Sequence, residues 1–152
     1  MEQVVSEWIL QRPSKYLKMC RRRGIVKFFS FLEDREIQIG VFSDYPVVEK
    51  IAKLGLARWI SVALCATDPE IDAFKPHPKG FLRACTIWAI SPEEVLYIGD
   101  RFAVDAVGAA SIGMPCAILR SRRALSSHNP PSSTSFICAS FTELQHLLAA
   151  IV

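Results

Sequence analysis

No stretch of this 152-residue chain is long and apolar enough to cross a bilayer. The longest predominantly apolar run without a charge, Ala106 to Leu119, is broken by glycine and proline. It also falls short of the ~20 residues that a spanning helix needs. The N-terminus, Met1 to Gln11, places acids early and has no long apolar core, which excludes a secretory signal. The five cysteines (Cys20, Cys65, Cys85, Cys116, Cys138) are odd in number and scattered, with no C-x-x-C pair. That pattern argues against a disulfide framework or a zinc site and suits buried thiols in a reducing cytoplasm. Strong net charge is absent as well, and +3 is too slight to imply nucleic-acid binding. The sharpest basic run, Arg21-Arg22-Arg23, stands before Gly24. Arginines favour a helix C-terminus and glycine the left-handed residue beyond it, so the run reads as a solvated helix end rather than a phosphate patch. The composition therefore points to a cytoplasmic protein with neither a membrane nor a nucleic acid as partner.

What the chain does contain is enough apolar residue, 51%, for one domain with a core of its own. Residues 1–23 read as helical, interrupted at Pro13. Ile25, Phe28, Phe29 and Leu32 then fall on one buried helical stripe. Residues 36–42 are strand-like, and Pro46 suits the first turn of a helix that runs through Leu54 and closes at Gly55. A short strand lies around residues 61–66, a proline- and acid-rich loop spans 67–79, and a helix covers 78–88. Ser91 to Glu94 forms a capped turn into the strand 95–98, with a helix from about Val104 to Ser111 and a strand over 115–119. The polar run 126–135 is a surface loop. A short strand, a Ser140-x-x-Glu143 capping box and an amphipathic helix end the chain. Strands alternating with helices mean an α/β fold with a parallel sheet.

Ligands of such sheets bind at the carboxyl ends of the strands, which selects Ser43 and Asp44, the loop to Lys75, and Asp100 with Asp105. Singly each is ordinary, since a serine after a strand is most often a helix cap. Together they are the equipment of phosphoryl transfer. Two carboxylates offer hard oxygen ligands suited to Mg²⁺, a lysine a point charge for phosphoryl oxygens, and a hydroxyl with free N–H groups an anion cradle.

The segments "IQIGVFSDYP", "FKPHPKGF" and "VLYIGDRFAVDAVGAASIGM" resemble, in order and spacing, the second, third and fourth motifs of the haloacid dehalogenase-like hydrolases, specifically their phosphoglycolate-phosphatase-like members. The resemblance runs from about Gly24 to the C-terminus. It implies a Rossmann-like core, with residues 24–152 as a partial core and residues 1–23 as the helical remnant of a cap region. It further implies a Mg²⁺-dependent phosphatase of small phosphorylated metabolites. Ser43 would bond a phosphoryl oxygen, with Asp44 either beside it at the phosphate or capping the helix from Pro46. Lys75 would neutralise the phosphate and orient the nucleophile. Asp100 and Asp105 would form the metal site, Asp100 as ligand and Asp105 through water or Lys75. His77 reads as a loop residue.

The family's first motif, a strand ending in Asp-x-Asp, has no counterpart here. Its first aspartate would attack phosphorus and its second would protonate the leaving group. Glu33, Asp34 and Glu36 lie on a helix end, and Asp68, Glu70 and Asp72 in a loop. The resemblance therefore implies a core without its usual first, central strand and most of its cap, N-terminally truncated and incomplete by itself. It also implies exposed edges that favour a homodimer or a missing N-terminal segment. The alternative is a non-catalytic phosphate-binding or protein-interaction module that self-associates.

Overall fold

Four apolar side chains set the first regular helix of the computed structural model, which describes residues 16–120 and 135–151. Helix α1 (Ile25–Glu33) buries Phe28, Phe29, Phe31 and Leu32. The Phe28 ring is fully buried and lies 5.3 Å from that of Phe141. Gly24 is left-handed at φ +86, as its place after three arginines predicts. However, α1 begins at the very next residue, so the arginines flank the amino end of a helix as well as following a helical turn over residues 16–20. Most of the helix expected over residues 1–23, and nearly all of the polar loop 126–135, lie outside the described residues.

Strand β1 (Ile39–Ser43) pairs in parallel with β2 (Ile60–Cys65). Between them α2 (Val48–Lys53) starts two residues later than Pro46 suggests. The Ser43 hydroxyl accepts the Tyr45 N–H at 3.2 Å, which holds residues 43–45 in a turn of their own. Helix α3 (Lys79–Trp88) packs on β1 and β2, and the Ser91–Glu94 capping box forms as expected. Strands β3 (Tyr97–Gly99), β4 (Cys116–Leu119) and β5 (Ser135–Cys138) make a second parallel sheet in that order. The helix expected from Val104 instead opens as a wide π turn over Phe102–Ala106 and narrows into α4 (Val107–Ala110). The capping-box serine, Ser140, accepts the Glu143 N–H and starts α5 (Phe141–Leu148). Four of the five thiols are buried, and only Cys20 is exposed.

The two sheets share both of their faces. On one, Ile39 and Val41 of β1 join Leu96, Ile98, Ala117 and Leu119 in a single apolar cluster under α1 and α5. On the other, Phe42 packs with Tyr97, Cys116 and Ile118 against Phe81 of α3. They are two parts of one parallel layer, ordered β2-β1 and then β3-β4-β5. The β1 edge away from β2 and the β3 edge away from β4 carry no strand among the described residues. Backbone groups alternate sides along a strand, so Gly40, Phe42 and Ile98 turn theirs toward that open seam. Among the described residues no helix is long and apolar enough to cross a membrane.

Replacing Phe28 by alanine removes the most deeply buried ring of the α1 face. The expected loss is about 3–5 kcal/mol, read from the urea unfolding midpoint; a loss under ~1 kcal/mol would show that α1 is not part of the cooperative core.

Candidate active site

The carboxyl end of β3 is held by a side chain six residues beyond it. Asp105 is almost fully buried and uses both of its oxygens. Oδ2 accepts the backbone N–H groups of Asp100 (3.1 Å) and Arg101 (3.0 Å). Oδ1 accepts from the Lys75 ammonium (2.8 Å) and the Tyr97 hydroxyl (3.3 Å). The wide π turn lets the chain fold back this far, with Asp105 N–H donating to Arg101 C=O at 2.8 Å. Gly99 is required for the same reason. A β-carbon there would stand 2.5 Å from the Asp105 β-carbon and 2.6 Å from its carboxyl, closer than packed atoms allow.

Lys75 arrives on the loop between β2 and α3, and three contacts fix it. Its backbone N–H donates to Asp44 Oδ1 at 3.2 Å. Its ammonium donates to Asp105 and, at 3.0 Å, to the Tyr97 hydroxyl. The rings of Phe42 and Tyr97 flank the ammonium, each with its centroid 5.6 Å away. A lysine ammonium has three donors, so two are spent within the fold and one remains. Asp44 therefore does not cap α2, which has no side-chain cap, but pins the lysine loop to the end of β1. His77 accepts the Lys79 N–H at 3.3 Å and caps the start of α3.

Tyr97 was not among the residues selected from sequence. Its signal there is slight: a polar-tipped aromatic two residues before Gly99, on the face turned to α3. Burial raises its pKa well above the ordinary tyrosine value, and the neighbouring Asp105 carboxylate raises it further. Burial, then Asp105, pushes the Cys116 thiol up to about 12, against a lowering by Lys75. Burial and then Glu143 push Cys138 to about 11.

Ser43 ends β1 and Asp100 directly follows β3, so the structure brings Ser43, Asp44, Lys75, Asp100 and Asp105 to one end of the layer. Asp100 is exposed, with no bond to its carboxylate among the described residues. Asp105 is saturated by four donors, which leaves Asp100 as the carboxylate of the pair free to meet a cation. Mg²⁺ needs further ligands besides this one carboxylate, and no group of three or more metal-ligating side chains forms among the described residues. These residues alone do not fit a magnesium site. Of the other acids named from sequence, three are engaged elsewhere: Glu33 with Arg58 and Trp59, Asp68 with the Cys65 N–H, and Glu70 with Arg83.

A family model of haloacid dehalogenase-like hydrolases matches residues 16–113, more than half of the chain. The chain belongs to this family. Among curated relatives of this chain, the glyceraldehyde 3-phosphate phosphatase of Pyrococcus furiosus is 45% identical over 109 residues, 70% of this chain and 45% of the relative. The enzyme of the same name from Methanopyrus kandleri is 35% identical over 72 residues, 47% of this chain and 30% of the relative. The chain thus spans less than half the length of these relatives. The same fold recurs in a phosphatase of the family from Thermococcus onnurineus, with a TM-score of 0.72 at 23% identity, over 83% of this chain and 57% of that one. A 2-haloacid dehalogenase from Pseudomonas syringae also gives 0.72, at 22% identity, over 86% and 54%. One fold serves both chemistries, so the reaction must be argued from the site.

Removing the Asp105 carboxylate leaves the Lys75 ammonium buried and unpaired. Asp105→Ala should cost about 3–5 kcal/mol in urea unfolding, and a change below ~1 kcal/mol would mean that the pair is solvated.

The folded chain holds the Tyr97, Cys116 and Cys138 protons more tightly than the unfolded chain does. Their contribution to stability is complete below the unfolded pKa values and falls as pH rises past them, from about 8.5 for the thiols and about 10 for the tyrosine. In ultraviolet difference titration one tyrosine should ionise only as the chain unfolds. Tyr97→Phe should abolish that step; its persistence in the variant would assign it to another tyrosine.

Proposed function

We propose that this chain supplies the lysine half of a Mg²⁺-dependent phosphomonoester hydrolase site. Its acidic half, an Asp-x-Asp pair, is carried by a strand seated between β1 and β3. The observation that supports this most directly is the buried Lys75 ammonium. It is held by Asp105 and Tyr97 at the carboxyl ends of the strands, with one donor left over. A fixed ammonium with a spare N–H lowers the cost of charge developing on phosphoryl oxygens, which is most of what catalysis of this transfer requires. The Ser43 hydroxyl donates to a second phosphoryl oxygen while accepting from Tyr45 N–H. Asp100 offers one oxygen to Mg²⁺, whose charge neutralisation the site gains once the incoming carboxylates complete its ligands.

The seam supports the second half of the proposal. It is open along β1 and β3, parallel in direction and apolar on both faces. A strand placed there satisfies two rows of backbone groups and delivers its carboxyl end between Ser43 and Asp100. The substrate class is small phosphorylated metabolites. The relatives, glyceraldehyde 3-phosphate phosphatases by name, make a three-carbon phosphorylated aldehyde the first to try.

The second reading is a non-catalytic module whose open edges pair with another copy of the chain. The absence of any Asp-x-Asp favours it. Both readings place the protein among partners rather than alone in the cytoplasm.

A synthetic peptide of about ten β-branched and apolar residues ending in Asp-x-Asp, the length of a long strand, separates them. With peptide and Mg²⁺ the chain should release phosphate from generic esters. Lys75→Met should lower the rate by about 10²-fold or more, and Asp100→Asn should abolish it. The chain without peptide should be inactive. Turnover by the chain alone would overturn the divided site. No turnover and no Mg²⁺ binding with peptide present, together with a sedimenting dimer, would establish the second reading instead.

A further inference from the structure

We propose that the basic run before α1 forms a binding groove for a compact phosphoryl or polyphosphoryl anion, built from residues the candidate active site does not use. The groove encloses about 280 Å³. Its lining holds five cations, Lys18, Arg21, Arg22, Arg23 and Lys27, and no acid. Among the described residues none of the five pairs with a carboxylate, and the first turn of α1 contains no acid.

Two of the arginines are nevertheless held in place. Arg21 donates to the carbonyls of Lys18 (3.2 Å) and Leu54 (3.4 Å), and Arg22 to the carbonyl of Leu119 (3.0 Å). These carbonyls come from the turn itself, the end of α2 and the end of β4. Neutral acceptors fix the direction of a guanidinium without cancelling its charge. Each fork keeps donors to spare, in the geometry that grips phosphoryl oxygens two at a time. Crowded and oriented positive charge without a counter-charge is the arrangement that a multiply charged anion completes.

Several features favour a compact ligand over a nucleic acid strand. The cations are confined to residues 18–27, the groove is short, and the whole chain carries only +3. Leu119 closes β4, so Arg22 is anchored at the same end of the layer as Lys75 and Asp100.

The test uses inorganic tripolyphosphate as probe, with citrate as a tricarboxylate of similar size. In calorimetry, tripolyphosphate should bind and citrate should bind more weakly. Arg23→Ala with Lys27→Ala, two side chains without other bonds among the described residues, should weaken tripolyphosphate binding about tenfold or more and leave the unfolding midpoint unchanged. Arg22→Lys keeps the charge but loses the fork, and should weaken binding by about threefold or more. Amide resonances that shift on titration should fall in residues 18–27. The proposal is overturned by shifts confined to Ser43, Lys75 and Gly99–Arg101. Equal weakening by Arg35→Ala with Arg58→Ala, at the far end of α1, overturns it as well. Displacement of tripolyphosphate by a single-stranded oligonucleotide at lower concentration would replace the compact ligand with a nucleic acid. Loss of the proposed phosphatase activity with tripolyphosphate binding intact, or the reverse, separates this groove from the site at Lys75.

Discussion

A full ammonium and a full carboxylate meet 2.8 Å apart, almost out of water, where Lys75 reaches Asp105. Removing both ions from solvent costs several kcal/mol each, and attraction alone repays that only in good geometry with the remaining donors and acceptors filled. Here they are filled. Two backbone N–H groups and a tyrosine hydroxyl complete the carboxylate, and the same hydroxyl takes a second proton donor of the lysine. Much of the local structure follows. Gly99 has no side chain because Asp105 occupies its space, and the π turn is wide because Asp105 must reach back to β3. Asp44 serves the lysine loop rather than a helix. The pair ties three separated segments, residues 42–44, 73–79 and 97–105, to one end of the layer.

That clustering is more than the chain needs for folding. A hydrophobic pair of similar volume would be at least as stable at such a position. What the ion pair adds is an oriented positive charge with one donor to spare, beside a strand-end serine and an exposed carboxylate. Among the described residues no strand fills the seam between β1 and β3. In the proposed reading one strand would complete both sheet and site, because in a parallel layer the residues after a strand form the site and the strand itself fills the sheet.

The arginine run shows how one local feature acquires two meanings. In sequence, three arginines before a glycine read as a solvated helix end, and Gly24 does take the left-handed conformation that this predicts. Folding sets α1 directly after it and draws Arg21 and Arg22 to carbonyls of distant elements. The charges become fixed rather than free, and among the described residues no acid arrives to neutralise them.

The elements of this chain were legible in its sequence because their signals are local. The stripe of Ile25, Phe28, Phe29 and Leu32, the Ser91–Glu94 and Ser140–Glu143 caps and the apolar run at Cys116–Leu119 depend on periodicity and short-range hydrogen bonding. Ser43, Lys75, Asp100 and Asp105 were legible as a set because each follows or precedes a strand at a recognisable spacing. The role of Asp44, the buried hydroxyl of Tyr97 and the saturation of Asp105 by four donors were not legible. Each depends on which side chains meet across some 8 to 31 residues of chain, and no local pattern encodes such a meeting. The sequence by itself determined an α/β hydrolase core with a lysine and two aspartates at its strand ends and no Asp-x-Asp. Only the tertiary structure decided that one of those aspartates is spent on the lysine, since a carboxylate has few lone pairs and folding had already filled them.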